Sequence, residues 1–218
     1  VSVPQWPVRR DHRPVSSYGE VVYWDPRPTV AVSAGLPVAG LAGMLLGPAE
    51  DYLRGRWANR DWRNVPGPFY GAMTDSCWVG RLVAPDHIVY EDDNGGEVVF
   101  RQPRDAAETQ MVLTAAWSDP FHAYACDGDE HWTLASVRDW WAERKRLLEW
   151  IDDTCRVWAD SGRKDEQHNT HGLRAYRRYV ADGLERSLRE YGFWLEEHRP
   201  AAAGEGLPDL GRRSRTRD

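Results

Sequence analysis

The run Cys126-Asp127-Gly128-Asp129-Glu130-His131-Trp132 gathers carboxylates, an imidazole and a thiol just ahead of an apolar-periodic segment. Hard oxygen ligands on a glycine turn suit a divalent cation such as Ca2+ or Mg2+. Asp127, Asp129 and His131 are the candidate ligands. The twelve-residue spacing of an EF-hand is missing and no Glu closes the loop. Acids ahead of a helix N-terminus are also stabilised by the helix dipole, so a plain capping loop is the competing reading. His168 and His171, three apart beside Asp165 and Glu166, form a second imidazole pair. A metal site of that type needs a further ligand at matching spacing, which the sequence lacks, so the pair reads as polar linker.

Cys77 stands in Gly67-Pro68-Phe69-Tyr70-Gly71-Ala72-Met73-Thr74-Asp75-Ser76-Cys77-Trp78, where glycine, aromatic and hydroxyl residues concentrate. A nucleophilic thiol needs an imidazole base and an orienting group, for which His87 or His122 with Asp75 are the candidates. A small buried thiol is the alternative. The Gly-rich stretch from Ala34 to Gly47 follows a strand-like run as a phosphate loop does. It lacks both the Lys-Ser/Thr ending and the Gly-x-Gly-x-x-Gly spacing, so close packing explains it better.

Charge adds a further function class. Between Asp86 and His131 eleven acidic residues face two basic ones, Arg101 and Arg104. That local net of −9 leaves +3 for the rest of a chain whose total is −6. The acids gather in loops, at the hairpin tip with Asp92 and Asp93 and at Asp127, Asp129 and Glu130. Such a face repels nucleic acid and favours a basic protein. A solvated surface that keeps an Arg-rich chain in solution is the alternative.

The elements that must position these residues follow from periodicity and punctuation. Asp86–Tyr90 and Glu97–Gln102 are β-rich runs joined through Asn94-Gly95-Gly96, which reads as a β-hairpin over 86–102. Asp105 and Glu108 open a helix that runs to Trp117. Leu134, Val137, Trp141, Leu148, Ile151, Cys155 and Trp158 recur at steps of three and four, broken only by Arg144. Trp140, Leu147, Trp150 and Val157 widen that stripe. The pattern predicts one helix of ~28 residues, capped by Thr133 and closed by Gly162. Leu173, Tyr176, Val180, Leu184, Leu188, Tyr191 and Leu195 predict a second helix, stopped by Pro200. The short polar link from Ser161 to Thr170 makes the two an antiparallel hairpin.

The uncharged run from Pro28 to Ala49 is long enough to span a bilayer, but Gly35, Pro37, Gly40, Gly43, Gly47 and Pro48 interrupt it. It reads as a buried strand at Thr29–Ser33, a turn, and a buried helix from about Val38, with a membrane span at 29–49 as the alternative. Residues 54–68 read as a helix end and a turn stopped by Pro66-Gly67-Pro68. A strand is expected near Glu20–Trp24.

Composition sets the frame. With 218 residues, 41% of them hydrophobic and 12 of them Trp, the chain can build a core. Only Lys145 and Lys164 among its 28 basic residues are lysine. That arginine bias points to a high-GC bacterial genome. Val1 opens the chain and the first methionine is Met44, which fits a non-ATG start or a fragment equally. Three cysteines without paired spacing argue against a disulfide framework, and the first 29 residues carry no apolar leader run, so a cytoplasmic setting is expected.

Together these features predict an α+β fold. A small antiparallel sheet around the hairpin is flanked by helices and covered by the C-terminal helical hairpin, 133–198. Residues 1–28 form an irregular arm, 29–200 one domain, and 201–218 a disordered tail. The function expected is that of a non-catalytic bacterial binding protein, of inhibitor or immunity type, whose acidic face takes a basic partner. No cofactor is expected, a divalent cation excepted. The alternative is a hydrolase, metal-assisted at Asp127–His131 or thiol-dependent at Cys77.

Overall fold

The computed structural model describes residues 23–74, 77–91 and 95–211. Its helices are α1 Arg27–Ala31, α2 Ala49–Tyr52, α3 Gly80–Val83, α4 Ala106–Ser118, α5 Leu134–Ala142, α6 Arg144–Ala159, α7 Lys164–Asp182 and α8 Leu184–Glu197. Its strands are β1 Tyr70–Gly71, β2 Ile88–Tyr90, β3 Glu97–Val99 and β4 Tyr124–Ala125, which form two antiparallel pairs, β1–β4 and β2–β3. The α+β architecture read from the sequence is therefore present.

The β2–β3 hairpin is the partition of the molecule. Ile88 pairs with Val99 and Val89 with Val98, and all four side chains are buried. Val89 and Val98 join the core under the C-terminal helices, whereas Ile88 and Val99 face the core around α4. Burial on both faces explains why the strands read as unbroken apolar runs rather than as alternation. Asn64, fully buried, ties the two sheets together. Its Oδ1 accepts from the backbone N–H of Gly71 and of Val99, and its Nδ2 donates to the carbonyls of Asp61 and Gly71.

The C-terminal helices pack as an antiparallel hairpin, α6 on α7 and α5 on α8. Each of the two long helices expected is divided. The first breaks at Glu143, and the Arg144 guanidinium donates to the Trp141 carbonyl at 3.0 Å. The second starts earlier than expected, at Lys164, and breaks at Gly183. The apolar stripe stays in phase across both breaks, so periodicity alone reads them as continuous. Thr133 caps α5 with a reciprocal Ser136 bond, and Asp105 caps α4 by accepting from the Glu108 N–H. The first of these helices ends at Ala159, before Gly162 is reached. Val157 is 70% exposed and does not belong to the stripe. Cys155 lies at the edge of the core, its thiol 4.0 Å from the Thr170 carbonyl. Asn169 on α7 clasps Tyr90 by bonding both its N–H and its C=O, as a neighbouring strand would. Gly172 admits the buried Arg81 side chain, whose carbons and nitrogens would lie 2.3 Å from a Cβ there.

Four other expectations are corrected. Residues 29–33 are not strand: α1 begins with Pro28 in its first turn, where a missing N–H costs nothing. No helix follows Val38. The chain instead doubles back through two turns, closed by a bridge between Pro37 and Leu45, because Gly40 and Gly43 take positive φ of 81° and 82°. Residues 54–68 hold a single 3-10 turn, Trp57–Asn59. Tyr23 and Trp24 are not strand, and Glu20–Val22 lie outside the described residues. The hairpin strands are also shorter than read, 88–90 and 97–99.

Residues 201–211, read as the start of a loose tail, lie against α5 and α8. Leu210 is buried, and the carbonyls of Pro208 and Asp209 accept from Arg189 and Arg138. Residues 212–218 lie outside the described residues.

Candidate functional site

A cleft of about 770 Å3 opens where the chain leaving β3 meets α7 and α8. One wall is Arg101-Gln102-Pro103-Arg104, the second is Val65-Pro66-Gly67, and the third comprises the facing sides of α7 and α8, with Tyr23 and Trp24 closing one end. Gln102 fixes the first two walls relative to each other: its Nε2 donates to the carbonyls of Val65 and Phe69, and its Oε1 accepts from the Phe69 N–H. Tyr23 stacks on Tyr191 and Trp194, and the Trp24 indole N–H donates to Thr109 on α4.

Four guanidiniums line the cleft, on Arg101, Arg104, Arg178 and Arg186. Arg104 is held by Glu108 at 2.6 Å, and Arg186 by the buried Glu190 at 2.9 Å. Burial works against the charge on Glu108, yet the Arg104 bonds hold its carboxyl below the usual carboxylate range. Asp182 sits at the exposed rim. Four positive groups thus meet three carboxylates, and the cleft carries a positive excess.

Arg178 lies exposed on α7, whereas Arg101 is half-buried in the wall. Its guanidinium lies 4.6 Å from the Tyr179 ring centroid, and its Nε is buried without a hydrogen-bond partner. Among the described residues no carboxylate pairs with it. A guanidinium held over an aromatic ring by cation–π attraction can still offer its terminal N–H donors to a ligand.

His87 stands behind this wall. It is 1% exposed, its Nδ1 lies 3.0 Å from the Arg101 carbonyl and its Nε2 3.8 Å from Glu108. Burial pushes its pKa down, so the ring is neutral at pH 7 and positions Arg101. The ring is buried and its Nδ1 is committed to the Arg101 carbonyl, away from the exposed Cys77. His122 occupies the turn after α4, its N–H bonded to the Asp119 carbonyl and its own carbonyl accepting from Arg54. Asp75 lies outside the described residues. Trp78, next to Cys77, has φ of 58° and packs on Tyr90 and Trp158.

The Asp127–His131 loop is a 3-10 turn whose two aspartates face different neighbours. Asp127 accepts from Tyr70 at 2.7 Å and lies 3.3 Å from the His131 Nε2. The Asp129 side chain, 6% exposed, accepts from Tyr191 at 2.8 Å and Tyr23 at 3.3 Å, with Arg27 at 3.6 Å. Burial pushes the Asp129 carboxyl above the usual range, while the Tyr191 bond and Arg27 oppose that shift. Among the described residues no group of three or more His, Cys, Asp or Glu is placed to hold a metal ion. His168 and His171 lie exposed on α7.

Of the described acids between Asp86 and His131, several are held inside the fold or in ion pairs. Glu97 and Asp119 are buried; Glu97 accepts from the Gly80 N–H and from Tyr124, and Asp119 from two backbone N–H groups. Glu91 pairs with Arg63 and Glu108 with Arg104. Asp86, Asp105 and Glu130 are exposed. Asp92 and Asp93 lie outside the described residues.

Sequence reasoning passed over Arg101 and Tyr179. The one local signal is an arginine directly after the buried run Val98-Val99-Phe100 and two residues before Pro103, where a strand leaves the core. No helix among the described residues is long and apolar enough to cross a membrane. Comparison with protein-family models, curated proteins and solved structures finds no match.

Proposed function

We propose that this is a non-catalytic binding protein whose ligand, a small organic anion with an apolar or aromatic body, occupies the Arg101 cleft. The observation that carries the reading is the Arg101 guanidinium, laid on Tyr179 and lacking a carboxylate partner among the described residues. Arg101 is half-buried with its Nε unsatisfied, and a ligand carboxylate or phosphate would supply the acceptor and counter-charge that its guanidinium lacks. The volume of about 770 Å3 lies within the span of small-molecule sites. Pro66, Tyr23, Trp24 and Tyr179 give the ligand's body an apolar bed. The lining holds no imidazole or thiol, and its buried carboxylate, Glu190, is taken by Arg186.

Titration calorimetry with phenyl phosphate and with decanoate, against phenol and decanol as neutral counterparts, tests this. One or both anions should bind and the neutral molecules should not. Arg101→Gln should weaken binding about 10- to 100-fold, the worth of one charge-assisted hydrogen-bonded contact. Arg156→Gln, on the exposed side of α6, should change nothing. Failure of both anions to bind, or equal binding by Arg101→Gln, overturns the assignment.

A further inference from the structure

A second, smaller cleft of about 230 Å3 lies where the 57–62 segment meets α5 and the start of α6. Its charged groups come from different parts of the chain. Arg60 belongs to the 57–62 segment, Asp139 to α5, and Glu143 to the break between α5 and α6. The indoles of Trp62, Trp132 and Trp140 and the buried Leu147 supply the apolar lining. The Trp140 indole N–H donates to the Trp62 carbonyl at 2.8 Å, which ties α5 to the 57–62 segment. The Ser136 hydroxyl, also in the lining, is committed to the cap of α5.

Arg60 is the group left unsatisfied. Its guanidinium is held between two indoles, 4.3 Å from the Trp57 ring centroid and 4.5 Å from that of Trp132. Its Nε and Nη1 are buried without a hydrogen-bond partner. Burial pushes the Arg60 pKa down; the Asp61 charge opposes that shift, but its carboxylate is bound to Arg63 at 2.7 Å. A guanidinium stays protonated through such a shift, so what it lacks is an acceptor. Asp139 and Glu143 are exposed in the same cleft, yet no ion pair among the described residues joins either to Arg60. Glu143 meets Arg146 at 3.6 Å in an exposed pair, which contributes little.

These groups narrow the occupant by charge. A simple anion would meet two carboxylates beside one guanidinium. A simple cation would compete for indole faces already engaged, by Arg60 on Trp132 and by Arg146 on Trp62 at 4.0 Å. A compact molecule carrying both charges close together satisfies both. The volume, below the range of drug-sized sites, holds the occupant to that scale. We propose that this cleft binds a free α-amino acid with an apolar side chain, its carboxylate on Arg60, its ammonium on Asp139 and Glu143, and its side chain against Trp140 and Leu147. The proposal is independent of the Arg101 cleft.

Titration calorimetry of the full chain with L-leucine and L-phenylalanine, against N-acetyl-leucine and leucinamide, tests it. One or both amino acids should bind. The acetylated form, which lacks the ammonium, and the amide, which lacks the carboxylate, should each bind about tenfold more weakly or worse. Asp139→Asn with Glu143→Gln should weaken amino-acid binding about tenfold, and Asp153→Asn, exposed on α6, should change nothing. Both acids are exposed, so the melting temperature should stay near that of the wild type. If the double variant fails to fold, Asp139→Asn alone takes its place. Repeating the titrations with the Arg101→Gln chain removes any contribution from the first cleft. Absence of amino-acid binding in that chain overturns the proposal, as does binding that the Asp139 and Glu143 substitutions do not diminish. Leucinamide binding as well as leucine would assign a cation site, and N-acetyl-leucine binding as well as leucine an anion site; either result also overturns it.

Discussion

Asn64→Ala removes the side chain that joins the two sheets, and its cost follows from counting what is orphaned. Asn64 is fully buried, and its Oδ1 takes the N–H of Gly71 at 3.0 Å and of Val99 at 2.8 Å. Alanine leaves both donors buried without that acceptor, at about 1–3 kcal/mol each. The Asp61 and Gly71 carbonyls lose a donor, but each has a second lone pair and the Gly71 carbonyl still accepts from Asp61 N–H. The expected loss is therefore about 2–6 kcal/mol, a large share of the stability of a typical domain. Urea unfolding followed by tryptophan fluorescence measures it, with the slope of free energy against denaturant unchanged so that the midpoint alone moves. Val65 to Gly67, which follow Asn64 directly, line the cleft, so anion binding should weaken in the same variant. A loss below about 1 kcal/mol would show that the two N–H groups find other partners, and would refute Asn64 as the link between the sheets.

Two further outcomes are expected. His87 has its pKa lowered by burial, so the unfolded chain takes up that proton first as pH falls. Stability should be flat above about pH 6.5 and decline below it, by up to about 1.4 kcal/mol per pH unit until the folded pKa is passed. His87→Gln should remove most of that slope, with a remainder from His168, whose pKa partial desolvation and the neighbouring Arg81 lower; an identical slope in the variant rules His87 out as its source. Deleting residues 207–218 exposes the seat of Leu210 and strips the carbonyl partners of Arg138 and Arg189. The cost should be about 1.5–3 kcal/mol from the leucine alone, seen as a melting temperature several degrees lower. Deleting only 212–218 keeps Leu210 in place, and equal melts for the two truncations would show that the docked segment contributes nothing.

The sequence by itself determined the elements whose signal is local and periodic. The 3.6-residue stripes of the C-terminal helices, the Thr133 and Asp105 caps, and the antiparallel pairing of the two β-rich runs all reappear, because each depends on neighbours close in the chain. Tertiary structure decided everything that depends on partners distant in the chain. Whether a carboxylate belongs to a surface or to an interior bond cannot be read from charge counts: Asp129 is taken by Tyr23 and Tyr191, 106 and 62 residues away. Glycine spacing showed that 28–49 is interrupted, but hydropathy scores burial by residue type and so placed Leu41 and Leu45 inside. Two positive-φ glycines turn the chain before those side chains reach the core. Arg101 has only a weak local signal, since its place as a cation with no carboxylate partner among the described residues arises where the exit of one strand meets Tyr179 on a helix 78 residues on.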